Sequence, residues 1–296
     1  MGKVYDALKK AEGEGHPAGW SPVSVESIQT AVTSPNGRKN GSHRHDFIDY
    51  SLNAPDAVDL EQRNREIAAA QAARKLVIQP SREVTIDTTR IALSLAAFRD
   101  LNTEAAEEYD RLAVALITAA GERPVKRVLV ASAQHGEGRT SITLNLGCAL
   151  ARAQCRVLII DADLHRPSLL RFLGLSADIG LTDALTKGLP AGSAIVRVKP
   201  FGFDLLPTRE QVKNPTELLS AFSFEEMLQL FEPDYDFILF DSPPLLKIGD
   251  SSLLNRHTDA TVLVIRSGKT TSGQISKAVA PLSQEKILGV VLNRAA

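Results

Sequence analysis

From Val125 onward the chain is punctuated by short, nearly continuous apolar runs: VKRVLVASA, RVLIIDAD, YDFILFDSPP, DATVLVIRS and KILGVVLNR. These runs are rich in Val, Ile and Leu, and helix-like sequence separates each from the next. A strand with one wet face alternates apolar and polar residues, whereas a strand covered on both faces is apolar throughout. Strands of the second kind, alternating with helices, predict an α/β fold: a doubly wound, mostly parallel sheet with helices on both faces. In such sheets ligands bind beyond the carboxyl ends of the strands, so the polar residues that terminate the runs are where chemistry is sought.

The first run ends in SAQHGEGRTS and is followed by the helix-like ITLNLGCALARA. A glycine-rich turn between strand and helix lets backbone N–H groups converge on phosphate oxygens, and the helix N-terminus adds the positive end of its dipole. The P-loop pattern is G-x-x-x-x-G-K-[ST]. Gly136, Gly138 and Thr140 fit the loop, Ala133 replaces the first Gly, and Arg139 stands in the Lys position. The second run ends in Asp161-Ala162-Asp163, and a later one ends at Asp241. Carboxylates at strand ends behind a P-loop are what Mg²⁺–nucleotide chemistry needs, because a hard cation takes oxygen ligands and a hydroxyl nucleophile must lose a proton. The conjunction predicts a P-loop NTPase fold that uses ATP and Mg²⁺.

Composition before this region differs. Residues 1–12 place Val4, Leu8 and Ala11 at helical spacing and predict a short amphipathic helix. Residues 13–55 are rich in Gly, Pro, Ser, Asn and His, which predicts a disordered linker because little apolar surface is available to offset chain entropy. Residues 56–104 read as a helical and extended connecting segment, and residues 105–296 as the P-loop domain, opening with a helix from Thr103 to Ala119. A net charge of −1 with 23% charged residues argues against a nucleic-acid partner held by bulk electrostatics. No apolar run approaches the roughly 18 residues that span a bilayer, and no signal peptide is evident, so a cytoplasmic chain is expected. Cys148 and Cys155 lie in apolar segments and read as buried small hydrophobes.

Several motifs occur in a fixed order: SAQHGEGRTS, DADLHRP (Asp161 to Pro167), GLTDAL (Gly180 to Leu185), NPTELL (Asn214 to Leu219), FDSPP (Phe240 to Pro244) and GVVLNR. With them the chain, from about Ala105 to Asn293, resembles the cytoplasmic bacterial tyrosine kinases of capsular and extracellular polysaccharide assembly. These are a branch of the MinD/ParA-like P-loop ATPases. The opening MGKVYDALKKAE also looks like the start of members with an N-terminal extension. The resemblance implies that Gly136, Glu137, Gly138, Arg139, Thr140 and Ser141 cradle phosphates, with Thr140, Asp161 and Asp241 holding Mg²⁺. It implies catalytic roles for Asp161, Asp163 and Arg139, with the acidic motif activating a tyrosine hydroxyl, and it puts Asn293 beside the adenine ring. It further implies a membrane-embedded polysaccharide co-polymerase as partner, peripheral placement at the inner membrane, and a homo-oligomer.

The sequence also departs from that pattern. His165 stands where an Arg is usual, and Gln134 fills the slot of the MinD/ParA signature Lys. The helix motif E-x-x-R-x-x-R of the kinases is incomplete: Glu108 and Arg111 fit, but Val114 takes the last position. The four tyrosines, Tyr5, Tyr50, Tyr109 and Tyr235, form no cluster. Two other readings therefore stay open from the residues alone, a catalytically weak ATP-binding switch or scaffold and a MinD/ParA-type positioning ATPase.

Overall fold

The computed structural model describes residues 78–293 apart from 96, 97, 99, 101, 102, 247 and 248. The expected helix over 1–12, the linker over 13–55 and the first part of the connecting segment lie outside the described residues. The strands are β1 (Arg82–Thr85), β2 (Arg127–Ser132), β3 (Val157–Asp161), β4 (Val196–Lys199), β5 (Phe203–Leu206), β6 (Phe237–Asp241), β7 (Ala260–Arg266) and β8 (Ile287–Asn293). They form one eight-stranded sheet in the order β1-β4-β5-β3-β6-β2-β7-β8. Every neighbouring pair is parallel except β4 and β5, which run antiparallel as a hairpin. Each apolar run of the sequence is one of these strands. The β4–β5 hairpin and its pairing with β1 are additions, built from short strands of four residues each.

Helices cover both faces. On one face lie α1 (Glu104–Glu122), α2 (Arg139–Arg152) and α3 (Leu169–Leu173). On the other lie α4 (Leu181–Thr186), α5 (Pro215–Ser220), α6 (Phe222–Phe231), α7 (Asp250–Arg256) and α8 (Ser272–Val279). The central strands show why their sequences do not alternate. Leu158 and Ile160 of β3 join the core of the second face, while Val157 and Ile159 join the core of the first. Each such fully buried aliphatic side chain contributes about 1.5–3 kcal/mol.

α2 is the helix that aims the site, and it is held tightly. A Cβ at Gly147 would lie 2.5 Å from Ile159 Cδ1, so any larger residue would make the Ile159 side chain give way for α2 to sit this close to β3. α1 begins with the Thr103 side chain accepting from Ala106 N and runs on to Glu122, three residues beyond the expected end. The segment before α1 also packs on α2: Ser94 Oγ accepts from Ser141 Oγ at 2.8 Å, and its carbonyl accepts from Asn145 Nδ2 at 3.1 Å. Cys148 and Cys155 are free thiols, buried and half-buried, and burial pushes both up to about 11. No helix among the described residues is long and apolar enough to cross a membrane.

Candidate active site

The loop between β2 and α2 turns on two glycines in the left-handed region, Gly136 at φ +79° and Gly138 at φ +102°. Gly138 caps α2 without a side chain, which leaves the first turn of that helix open to an anion. The loop is braced from two later strands. Asn293, the last residue of β8, donates from Nδ2 to the Glu137 carbonyl at 2.7 Å. The buried Glu137 carboxylate accepts from Gln134 N at 2.8 Å and from the Thr270 hydroxyl in the loop after β7.

Below the loop, β3 and β6 run side by side with Asp161 and Asp241 in register. Both carboxylates are buried. Asp161 Oδ2 accepts from Ser168 N and Leu169 N, each at 3.0 Å, at the start of α3. Asp241 Oδ2 accepts from Thr140 Oγ1 at 2.7 Å, and the Thr140 hydroxyl lies 3.2 Å from that of Ser168. Asp161 Oδ1 and Asp241 Oδ1 are buried with no hydrogen-bond partner among the described residues. A buried carboxylate oxygen without a donor carries a large desolvation cost, and a cation would relieve it. Among the described residues no cluster of three His, Cys, Asp or Glu side chains could by itself enclose a metal. Two carboxylates and a hydroxyl instead suit Mg²⁺, which keeps waters and phosphate oxygens in its shell. The residues fit the ion.

Burial drives Asp161 well above the usual carboxylate range, with the neighbouring Asp241 charge adding to it. Burial likewise raises Asp241 to about 6, against the opposing pull of Arg139 and the Thr140 hydroxyl. A raised folded-state value means that the native protein holds a proton the unfolded chain releases. Stability from this source is full below pH about 4 and is lost as pH rises through about 6. In EDTA and without nucleotide, denaturant unfolding should therefore show the Asp241 contribution to wild-type stability falling over that window. Asp241→Asn should flatten the fall; an identical pH slope in the variant would contradict the burial account.

Asp163 sits two residues past β3, and burial raises it while the Arg139 guanidinium pulls it back. Its Oδ2 is 3.5 Å from Arg139 Nη2, and its Oδ1 accepts from Arg166 N at 3.0 Å. Arg139 is buried, and its Nη1 donates to Ser132 Oγ at 2.6 Å and to Gln134 O at 3.3 Å. His165, in the same acidic-motif loop, lies 2.8 Å from Asp250 Oδ2, and Thr216 of the NPTELL segment donates to Asp250 Oδ1.

The structure thus brings together Arg139, Thr140, Asp161, Asp163 and Asp241 at the carboxyl ends of β2, β3 and β6. Glu137 and Ser141 spend their side chains on protein partners, Gln134 and Thr270 for the first and Ser94 for the second. Asn293 braces the P-loop. Sequence reasoning missed Ser132, Ser168 and Thr270. Ser132 opens the motif SAQHGEGRTS without a role having been read for it, Ser168 directly follows DADLHRP, and nothing local marks Thr270.

A doubly wound parallel sheet, a glycine turn onto a helix N-terminus and paired strand-end carboxylates define a P-loop ATPase. The AAA domain family matches residues 125–285. Tyrosine-protein kinase YwqD of Bacillus subtilis is 32% identical over 207 residues, which cover 69% of this chain and 87% of that protein. The putative tyrosine-protein kinase AmsA of Erwinia amylovora is 29% identical over 168 residues, but the match spans only 23% of its length. Among solved structures, the VpsO kinase domain is 31% identical with a TM-score of 0.57, and the match covers 66% of this chain and all of that one. The chain belongs to the bacterial tyrosine kinase family.

Proposed function

We propose that this chain is an ATP-dependent protein-tyrosine kinase that regulates capsular or extracellular polysaccharide polymerisation and export. In this reading it works on the cytoplasmic side, docked on a membrane-embedded co-polymerase of the chain-length-determinant type. The observation that carries the chemistry is the buried group in which Asp163 faces Arg139 while Asp161 and Asp241 each keep one oxygen without a donor. Backbone N–H groups of Gly136 to Ser141 cradle the phosphates, and Asn293 lies beside the adenine ring. Thr140, Asp161 and Asp241 hold Mg²⁺, which when bound offsets the charge of the phosphate oxygens. Asp163 accepts the proton of the tyrosine hydroxyl as the phenolic oxygen bonds to the γ-phosphorus. The bond to the β-phosphate oxygen breaks, and ADP leaves with that electron pair. Arg139 stabilises the charge on the transferring group.

The acceptor is not Tyr235. Its ring is buried, its hydroxyl donates to Asp204 Oδ2 at 2.8 Å, and burial raises its pKa. Incubation of the purified protein with γ-labelled ATP, Mg²⁺ and a glutamate–tyrosine copolymer, scored together for hydrolysis and phosphotyrosine, tests the reading. Phosphotyrosine on the copolymer, with Tyr235 unlabelled by mass spectrometry, is expected. Label on Tyr235, or hydrolysis without any phosphotyrosine, would count against it. The arginine in place of the P-loop lysine keeps a second reading in play, an ATP-binding switch of the same pathway. A switch would bind nucleotide without turnover.

A further inference from the structure

The exchange of lysine for arginine in a P-loop creates a geometric problem. A lysine presents one compact ammonium, but an arginine presents a planar fork that must be turned to a particular angle before it is useful. Something in the protein has to hold one arm of the fork.

Ser132 does so. It is the last residue of β2 and fully buried, and its hydroxyl acts in both directions. It donates to the Gln134 carbonyl at 2.9 Å and accepts from Arg139 Nη1 at 2.6 Å. With Nη1 held there, Nη2 faces Asp163 Oδ2. Arg139 Nε is left buried with no acceptor among the described residues, and a buried N–H in that state is costly unless a ligand accepts from it. An apolar residue at this strand end would leave Nη1 only the longer bond to the Gln134 carbonyl, at 3.3 Å.

We propose that Ser132 is a positioning residue for phosphoryl transfer. Its hydroxyl anchors one arm of Arg139, so that Nε and Nη2 are presented to the transferring phosphoryl oxygens. This rests on the kinase reading above. The anchor matters most when charge builds on those oxygens, because the resting diphosphate is held chiefly by backbone N–H groups.

The test is calorimetric affinity for Mg·ADP and for Mg·ADP with aluminium fluoride, a mimic of the transferring phosphoryl group. It is carried out on the full chain as a double-mutant cycle. Ser132→Ala and Ser132→Cys should each weaken binding of the mimic by about tenfold, with Mg·ADP affinity kept within about twofold, as befits loss of a hydrogen bond to a charged group. The cysteine, slightly larger than serine, leaves no cavity but is a poor acceptor, so a loss common to both variants cannot be assigned to a cavity. In an Arg139→Ala background neither substitution should weaken the mimic further, because no guanidinium remains to be held. Equal losses in both backgrounds, or a parallel loss of Mg·ADP affinity, would make Ser132 a loop-shaping residue and overturn the proposal. So would full mimic affinity in both single variants. Absence of Mg·ADP binding by the wild-type protein is a different failure, and it would remove the functional reading itself.

Discussion

Asp163→Asn is expected to slow phosphotransfer by about 10²–10⁴-fold, the range lost when a positioned general base is removed. Mg·ADP affinity should stay within about threefold, since the proposed cation-holding oxygens belong to Asp161 and Asp241. The asparagine keeps an oxygen for the Arg166 N–H, so the loop after β3 retains its turn. What it loses is proton affinity. Burial raises Asp163 above the usual carboxylate range, which makes it a stronger base than an exposed aspartate, and an amide has no such capacity. Single-turnover rates with γ-labelled ATP, alongside calorimetry for Mg·ADP, give both numbers. Unchanged turnover would reassign the base, and loss of Mg·ADP binding would instead make Asp163 part of the nucleotide cradle.

Gly138→Val should abolish Mg·ADP binding. At φ +102° the position is strained for any side chain, and a β-branched one suffers most. A Cβ there would also lie 2.0 Å from Asn293 Nδ2, so the loop must move or release the Asn293 bond to the Glu137 carbonyl. Either movement disperses the N–H groups proposed to converge on phosphate. The cores on the two faces of the sheet do not depend on this loop, so the variant should remain folded by circular dichroism. The less bulky Gly138→Ala should lose a few kcal/mol of stability from strain and contact. Pairing it with Asn293→Ala should recover the contact part and leave the strain. A Gly138→Val protein that binds Mg·ADP like wild type would mean that the loop does not hold phosphate.

The legible parts of this molecule were those encoded locally. β2, β3, β6 and β7 could be read because strands covered on both faces are apolar at nearly every position, as Val157 to Ile160 show; β8 carries the same apolar run although it is an edge strand with no fully buried residue. The β4–β5 hairpin was not, because VRVK alternates and each strand is only four residues long. The sheet order was not legible either, since crossovers leave no mark in composition. The acidic residues of the site were found because each ends an apolar run, and the fold then set Asp161 opposite Asp241. What the sequence could not give was the partner of each side chain. Ser132 with Arg139, Thr270 with Glu137 and His165 with Asp250 all join separate stretches of chain through the tertiary fold or the turn of a loop. The N-terminal expectations lie outside the described residues, and deletion of Met1 to Glu12 remains their direct examination.

The central claim is that this P-loop works with an arginine as its cation. Arg139 is anchored by Ser132 and Gln134, faces Asp163 and keeps a buried Nε with no acceptor among the described residues, an arrangement that suits the proposed use. A decayed site has no reason to retain the three carboxylates around it. Single-turnover transfer from saturating Mg·ATP, compared between wild type, Arg139→Lys and Arg139→Ala, tests this most directly. The account predicts a wild-type rate far above that of Arg139→Ala and changed only modestly by Arg139→Lys. A wild-type rate indistinguishable from that of Arg139→Ala, with tight nucleotide binding in both, would contradict it.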